Sequence, residues 1–271
     1  MASSLKYSKG PARLVGSDPK LSAMIKYFAR NRFISRTVTP RWNLTSVLWS
    51  LCSAPYEPLG QASLLNLSIK TAFLLAFATA KRRGELHALS CADGHMSFAQ
   101  DSVTFILEPG FLAKTQTLFK TPDPIIVPAL PRGSRSPITD RYLCPVRAIK
   151  IYLRRTKKLR KKRLRFFIPT LSTRDVSKAT ISRWICKAIT KAYAGLSSIP
   201  RSRFGMRAHE VRAVATSWAF RSGVPLSRIM QAASWRHHNT FSQFYLRSLT
   251  TQAADLLQLG PLVAAGAVVN E

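Results

Sequence analysis

Residues 207–247 read RAHEVRAVATSWAFRSGVPLSRIMQAASWRHHNTFSQFYLR, and how this stretch is parsed decides the fold. His209 and Arg212 are three apart on a predicted helix, so they project from one face a turn apart. Gly223 stops that helix, Pro225 opens the next, and Trp235 follows at its end. Tyr245 comes ten residues later in TFSQFYLR and is the only tyrosine after Tyr193. A helical chain therefore places a His, an Arg, a Trp and a Tyr at its C-terminal end, and the question is what that set does.

Charge narrows the answer. The 271 residues carry 42 Lys and Arg against 12 Asp and Glu, a net charge of +30. A compact fold with that excess repels itself unless a polyanion neutralises it, and the common polyanion is nucleic acid. Cys52, Cys91, Cys144 and Cys186 form no CxxC or Cys/His cluster, so they read as reduced thiols and predict neither a zinc site nor a disulfide framework. The opening MASSLKYSKGPARLVGSDPK lacks the apolar core of a signal peptide, and no uninterrupted apolar stretch reaches membrane-spanning length. The expectation is a soluble intracellular chain with no membrane partner, no cofactor and no metal.

Working outward, residues 19–32 have helical apolar spacing, and TVTPRWNLTSVLWSLCSAP predicts a Pro-broken turn followed by a short helix. After YEPLGQAS, the stretch LLNLSIKTAFLLAFATA is apolar nearly all round and predicts a core helix ending at the charged knot KRRGELHAL. HMSFAQDSVTFIL and DPIIVPAL carry β-branched runs between Gly, Pro and Asp, which predicts a small sheet of about three strands, with EPGFLAKTQTLFKT as its edge or hairpin. CPVRAIKIYLRRT resumes helix, with Pro145 in its first turn. From Ser177 onward, Ile181, Trp184, Ile185, Ala188, Ile189 and Ala192 recur at helical spacing. The fold class is mainly α with a small antiparallel β-sheet.

The ordered set Arg82 in RRGEL, Lys114 in FLAKTQ, His209 and Arg212 in HEVR, Trp235 in ASW and Tyr245 in FYLR resembles the site of tyrosine recombinases of the phage-integrase family. LCPVRAIKIYLRRT, VRAVATSWA, AASW, NTFSQFYLR and the tail LGPLVAAGAVV are closest to the recombinases of eukaryotic mobile elements, the DIRS-like and Crypton-like groups. The similarity spans roughly residues 20–265. It implies a tyrosine recombinase catalytic-domain fold over 58–250 and an apolar tail over 251–271. Residues 1–57 would then be a truncated helical core-binding (DNA clamp) segment, where the family has a complete domain. It also implies DNA recombination or integration, as in transposition, by a homo-oligomer that is tetrameric on DNA. The tail is expected to pack either in trans on a neighbouring subunit or in cis.

The residue types fit transesterification at a phosphodiester. The pentavalent state gains negative charge, and Arg82 and Arg212 are planar, permanently charged and bidentate towards phosphate. His209 and Trp235 supply N–H donors, with His209 also placed for proton transfer. A phenol becomes a usable nucleophile where cations favour its phenolate, and a covalent 3′-phosphotyrosyl link at Tyr245 stores the bond energy for rejoining. The resemblance assigns Lys114 as general acid for the leaving 5′-oxygen, with Lys120 as the rival on the same hairpin. Glu85 orients Arg82. Taken singly, RxxEL and HxxR occur in unrelated chains and aromatic residues on apolar faces are ordinary core, so the reading rests on the ordered set. His237 and His238 read as surface residues, and His87 and His95 as structural.

RRTKKLRKKRLR, residues 154–165, has nine basic residues in twelve. Arg160, Lys161, Lys162 and Arg163 are candidate contacts to double-stranded DNA, and the run also fits a nuclear-import signal, which places the protein in the nucleus. No aromatic ladder for single-strand stacking accompanies it. The scattered acids disfavour a two-metal nuclease. A type IB topoisomerase-like enzyme and a non-catalytic DNA-binding descendant of a mobile-element recombinase remain as alternatives.

Overall fold

The computed structural model describes residues 42–113, 122–130, 141–160, 162–170, 174–194 and 207–247. Within them the chain is mainly helical with one three-stranded antiparallel sheet. In chain order the elements are α1 (Leu44–Leu51), α2 (Leu64–Thr79), α3 (Arg83–His87), β1 (Met96–Phe98), β2 (Ser102–Phe105), β3 (Ile125–Pro128), α4 (Pro145–Arg160), α5 (Lys178–Ala192), α6 (Ala208–Arg221) and α7 (Leu226–Ala232). A short helical turn, His238–Thr240, then runs into a π-helical turn, Phe241–Tyr245. The expected helix over 19–32 and the tail over 251–271 lie outside the described residues.

Helix α2 organises the rest because it is apolar nearly all round. Thirteen of its residues, Leu67 to Thr79, are buried, and α4, α5, α6 and β3 all pack on it. Its buried hydroxyls are satisfied within the helix. The hydroxyls of Ser68, Thr71 and Thr79 each donate to the carbonyl four residues back, at 2.7 Å. Ser63 caps its first turn by accepting from the Asn66 amide at 3.2 Å. Side-chain caps also start α1, where Asn43 accepts from Ser46, and α5, where Ser177 accepts from Thr180.

The sheet is a meander in the order β1, β2, β3, with Ser97 opposite Thr104 and Thr104 opposite Ile126. Val103, Phe105, Ile125 and Val127 face the core. Beside Phe105 lies an aromatic cluster in which Phe166 meets Phe105 at 5.3 Å, Tyr152 at 5.1 Å and Phe167 at 4.9 Å between ring centres.

A boundary expected after residue 57 does not coincide with a break in packing. Trp42, Leu44, Val47, Leu48, Leu51 and Tyr56 belong to the same core as α2, and α1 packs on α5. Glu57 is the link in polar terms. It accepts from Lys70 Nζ at 2.5 Å and from both terminal nitrogens of Arg147 on α4, at 2.8 and 3.0 Å. Lys70 is fully buried and gives a second bond to the Leu51 carbonyl at 2.6 Å. A buried ammonium is tolerable only with such partners, so the segment 42–57 is integral to this body.

Candidate functional site

The site begins where α2 stops. Ala80 takes a left-handed conformation (φ +50°), which ends the helix and aims Lys81 and Arg82 away from its axis. Arg82 is the N-cap of α3, and its backbone N–H donates to Glu85 Oε2 at 2.8 Å, as a carboxylate three residues on should. Glu85 thus fixes Arg82 through the main chain. The guanidinium of Arg82 makes no hydrogen bond with the described residues and is half-buried.

Arg212 arrives from the second turn of α6 and is only 2% exposed. One terminal nitrogen donates to the Ala233 carbonyl at the end of α7. The other lies 3.9 Å from Glu85 Oε2, too far for a hydrogen bond, and both it and Nε have no hydrogen-bond partner among the described residues. Burial pushes this guanidinium down from its ordinary value to about 10; neighbouring Arg82 adds to the effect, while Tyr245 and Glu85 oppose it. A cation held so deep with two unused donor groups has the chemical capacity to take up an anion.

The aromatic residues close over it. The Arg212 guanidinium carbon sits 4.9 Å from the Trp235 ring centre and 5.3 Å from that of Tyr245, and the two rings are 4.5 Å apart. Trp235 is buried, and its Nε1–H also lacks a partner among the described residues. Gly223, at φ +83°, lets the chain leave α6 and return through α7. Ser234 then takes the left-handed position (φ +51°) after α7, and the Trp235 amide bonds back to the Met230 carbonyl at 2.9 Å. Tyr245 ends the π-helical turn and is half-buried. Ser217 Oγ, from α6, donates to the Tyr245 carbonyl at 3.0 Å and accepts from the Arg247 amide at 2.8 Å. One hydroxyl therefore ties the tyrosine's backbone to the helix that carries Arg212.

His209 lies in the first turn of α6 and is exposed, whereas Arg212 is buried. Partial desolvation pushes its imidazole down; Arg207, Arg247 and Arg83 push the same way against Glu210. His209 accordingly sits among cations at the rim. Arg212 and Trp235, both buried, are brought together with the half-buried Tyr245 and Arg82, while Lys114 and the rival Lys120 lie outside the described residues, in the sequence between β2 and β3.

Two participants were not expected from sequence. Lys81 is 8% exposed, donates to Ser234 Oγ at 2.7 Å and lies 3.7 Å from Glu85 Oε1. Burial pushes its ammonium down; Arg212 adds to that, and Glu85 and Asp123 oppose it. Ser217 is the other. Within KRRGEL, Lys81 reads as one more surface cation; the apolar run immediately before it was the available signal that it enters the core.

The basic run divides. Arg160 turns inward: Nε donates to Thr156 Oγ1 at 3.1 Å, and the terminal nitrogens donate to the carbonyls of Arg165 at 3.0 Å and Phe166 at 2.7 Å. Its guanidinium also stacks on Tyr152 and Phe166 at 5.7 and 5.8 Å. It holds the end of α4 to the chain that follows instead of presenting its donors outward. Arg163 pairs with Asp175 at 3.2 Å, Lys162 is exposed, and Lys161 lies outside the described residues.

No group of three or more His, Cys, Asp or Glu side chains placed to hold a metal ion occurs among the described residues, nor any helix long and apolar enough to cross a membrane. No protein-family model matches the sequence, and no curated protein matches it significantly.

Proposed function

We propose that the protein is a DNA strand transferase of the tyrosine recombinase type, acting on double-stranded DNA from a mobile element through a covalent 3′-phosphotyrosyl intermediate. The observation that carries this reading is Arg212: a 2%-exposed guanidinium with two nitrogens unpartnered among the described residues, packed against the ring of Tyr245 and beside an orphaned Trp235 Nε1. Donors kept buried and unused in the free protein are what a phosphate's non-bridging oxygens require, and they need no reorganisation when charge develops.

In this reading the Tyr245 oxygen attacks phosphorus, giving up its proton to His209 or water. The bond from phosphorus to the 5′-oxygen breaks, and that oxygen takes a proton from Lys114 or Lys120. Arg82 and Arg212 carry the charge of the pentavalent state, and Trp235 donates to a non-bridging oxygen. Attack on the 3′-phosphotyrosine by a 5′-hydroxyl reverses the step, so no external energy source is needed. Assembly as a tetramer on DNA and action in the nucleus belong to the same proposal.

The test is incubation with duplex substrates nicked close to the cleavage point, so that the 5′-terminal fragment diffuses away and the intermediate accumulates. A protein–DNA adduct that survives denaturation is expected for the wild type and not for Tyr245→Phe. Duplex binding without an adduct would favour a non-catalytic DNA-binding protein. Relaxation of supercoils without partner exchange would favour a topoisomerase-like activity.

A further inference from the structure

Among the described residues one buried acid, Glu85, lies among the site's cations, and it raises a difficulty. Glu85 is needed to hold the backbone of Arg82, yet its Oε2 stands 3.9 Å from Arg212, where it drains the field the guanidinium offers an anion. Lys81 lies on the other side of the same carboxylate, 3.7 Å from Oε1, buried and anchored to Ser234 Oγ. We propose that Lys81 is a positioning residue that neutralises Glu85 in place, leaving the full charge of both arginines for a bound phosphate. The inference rests on the reading of this site as a phosphodiester transferase.

Its charge balance is specific. Lys81, Arg82 and Arg212 carry three positive charges against one on Glu85, leaving two. A phenolate attacking a phosphodiester monoanion gives a pentavalent state carrying two negative charges. With Lys81 the interior is neutral at that point; without it, one negative charge is left over in a desolvated site. Geometry supports a fixed role for the lysine. It lies between two left-handed residues, Ala80 and Ser234, so the corner that presents Arg82 and the turn that presents Trp235 meet through its ammonium. Asp123, approaching β3, is the other acid that bears on it, and it is exposed.

The experiment uses the full chain and inorganic phosphate as probe, followed by phosphorus NMR line broadening, beside the adduct assay. Lys81→Met keeps the buried stem and removes the charge, and should weaken phosphate binding on the order of tenfold, the effect of a unit charge about 10 Å away at an effective dielectric of roughly 20. Glu85→Gln keeps an oxygen to accept the Arg82 N–H and should strengthen binding by a similar factor, a gain that misfolding cannot produce. The double variant should return to within about threefold of wild type, and Ser234→Ala should stay within about twofold. If Ser234→Ala matches Lys81→Met and Glu85→Gln rescues neither, the lysine is only a structural latch and the inference is overturned. Absence of phosphate binding by the wild type also overturns it. The expected phosphate pattern with no DNA adduct would support the charge compensation and refute the transferase reading instead.

Discussion

Replacing Arg212 by Met separates a guanidinium kept for a ligand from one kept for the fold. Holding this cation 2% exposed, with its ionisation pushed down to about 10, costs the folded protein on the order of 3 kcal/mol at neutral pH, where the side chain is protonated in both folded and unfolded states. The folded pKa is the lower of the two, so the unfolded chain holds more protons between them and the penalty fades only as pH rises past about 10. Arg212→Met would remove that penalty. Against it stand an Ala233 carbonyl left without its donor, about 2 kcal/mol, and the lost contacts with the faces of Trp235 and Tyr245, about 1 kcal/mol together. These terms cancel to within about 2 kcal/mol, so urea unfolding should give a midpoint close to wild type. Adduct formation should fall by about 10²–10³, as for loss of one preorganised donor. Arg212→Lys should fare no better, because a single ammonium cannot bond Ala233 and a phosphate in the guanidinium's geometry. A stability loss above about 4 kcal/mol with adduct formation preserved per folded molecule would show that the residue serves packing and not phosphate binding.

Ser217→Ala removes the hydroxyl that ties the Tyr245 carbonyl and the Arg247 amide to α6. It should lower stability by about 1–2 kcal/mol and slow adduct formation while leaving duplex affinity unchanged, as read by unfolding and filter binding. Lys162→Gln should flatten the plot of log affinity against log salt by about 0.9, whereas Arg160→Gln should leave the slope alone and lose about 2–3 kcal/mol of stability, since its donors go to the protein's own carbonyls. Glu57→Gln strands the buried Lys70 and should cost about 3–5 kcal/mol in urea unfolding. The Glu57 carboxyl is held below its ordinary range: burial pushes it up, but bonds from Arg147 and Lys70 outweigh that. Stability should therefore be full above the ordinary carboxylate range and fall as pH drops through the lower folded value.

The helices were legible because their apolar residues repeat at helical spacing, and three of them begin at a side-chain cap, Asn43, Ser63 or Ser177. Ser177 begins α5, and Ile181, Trp184, Ile185, Ala188 and Ile189 are its buried face. The meander followed from β-branched runs separated by turn residues. The convergence of Arg82, Arg212, Trp235 and Tyr245 was expected only from the resemblance that their ordered motifs carry. Contacts between distant segments had no such signal. Ser217 reads as an ordinary helical serine until the chain returns from α7, and Lys81 and Arg160 read as surface charge because periodicity does not report where a long side chain ends. Equally hidden was the membership of residues 42–57 in the main core, since it depends on Glu57 meeting Lys70 and Arg147 from two other helices.

The proposed function makes Tyr245 the nucleophile in a site whose charge is supplied by buried arginine. Its most direct measurement is proteolysis of the adduct trapped on a nicked duplex in excess chelator, followed by mass analysis of the peptide that retains nucleotide. A single modified peptide containing Tyr245, joined to a 3′-phosphate, is expected, with unchanged yield in chelator. A nucleotide on any other residue, or an adduct that forms equally with Tyr245→Phe, would contradict it.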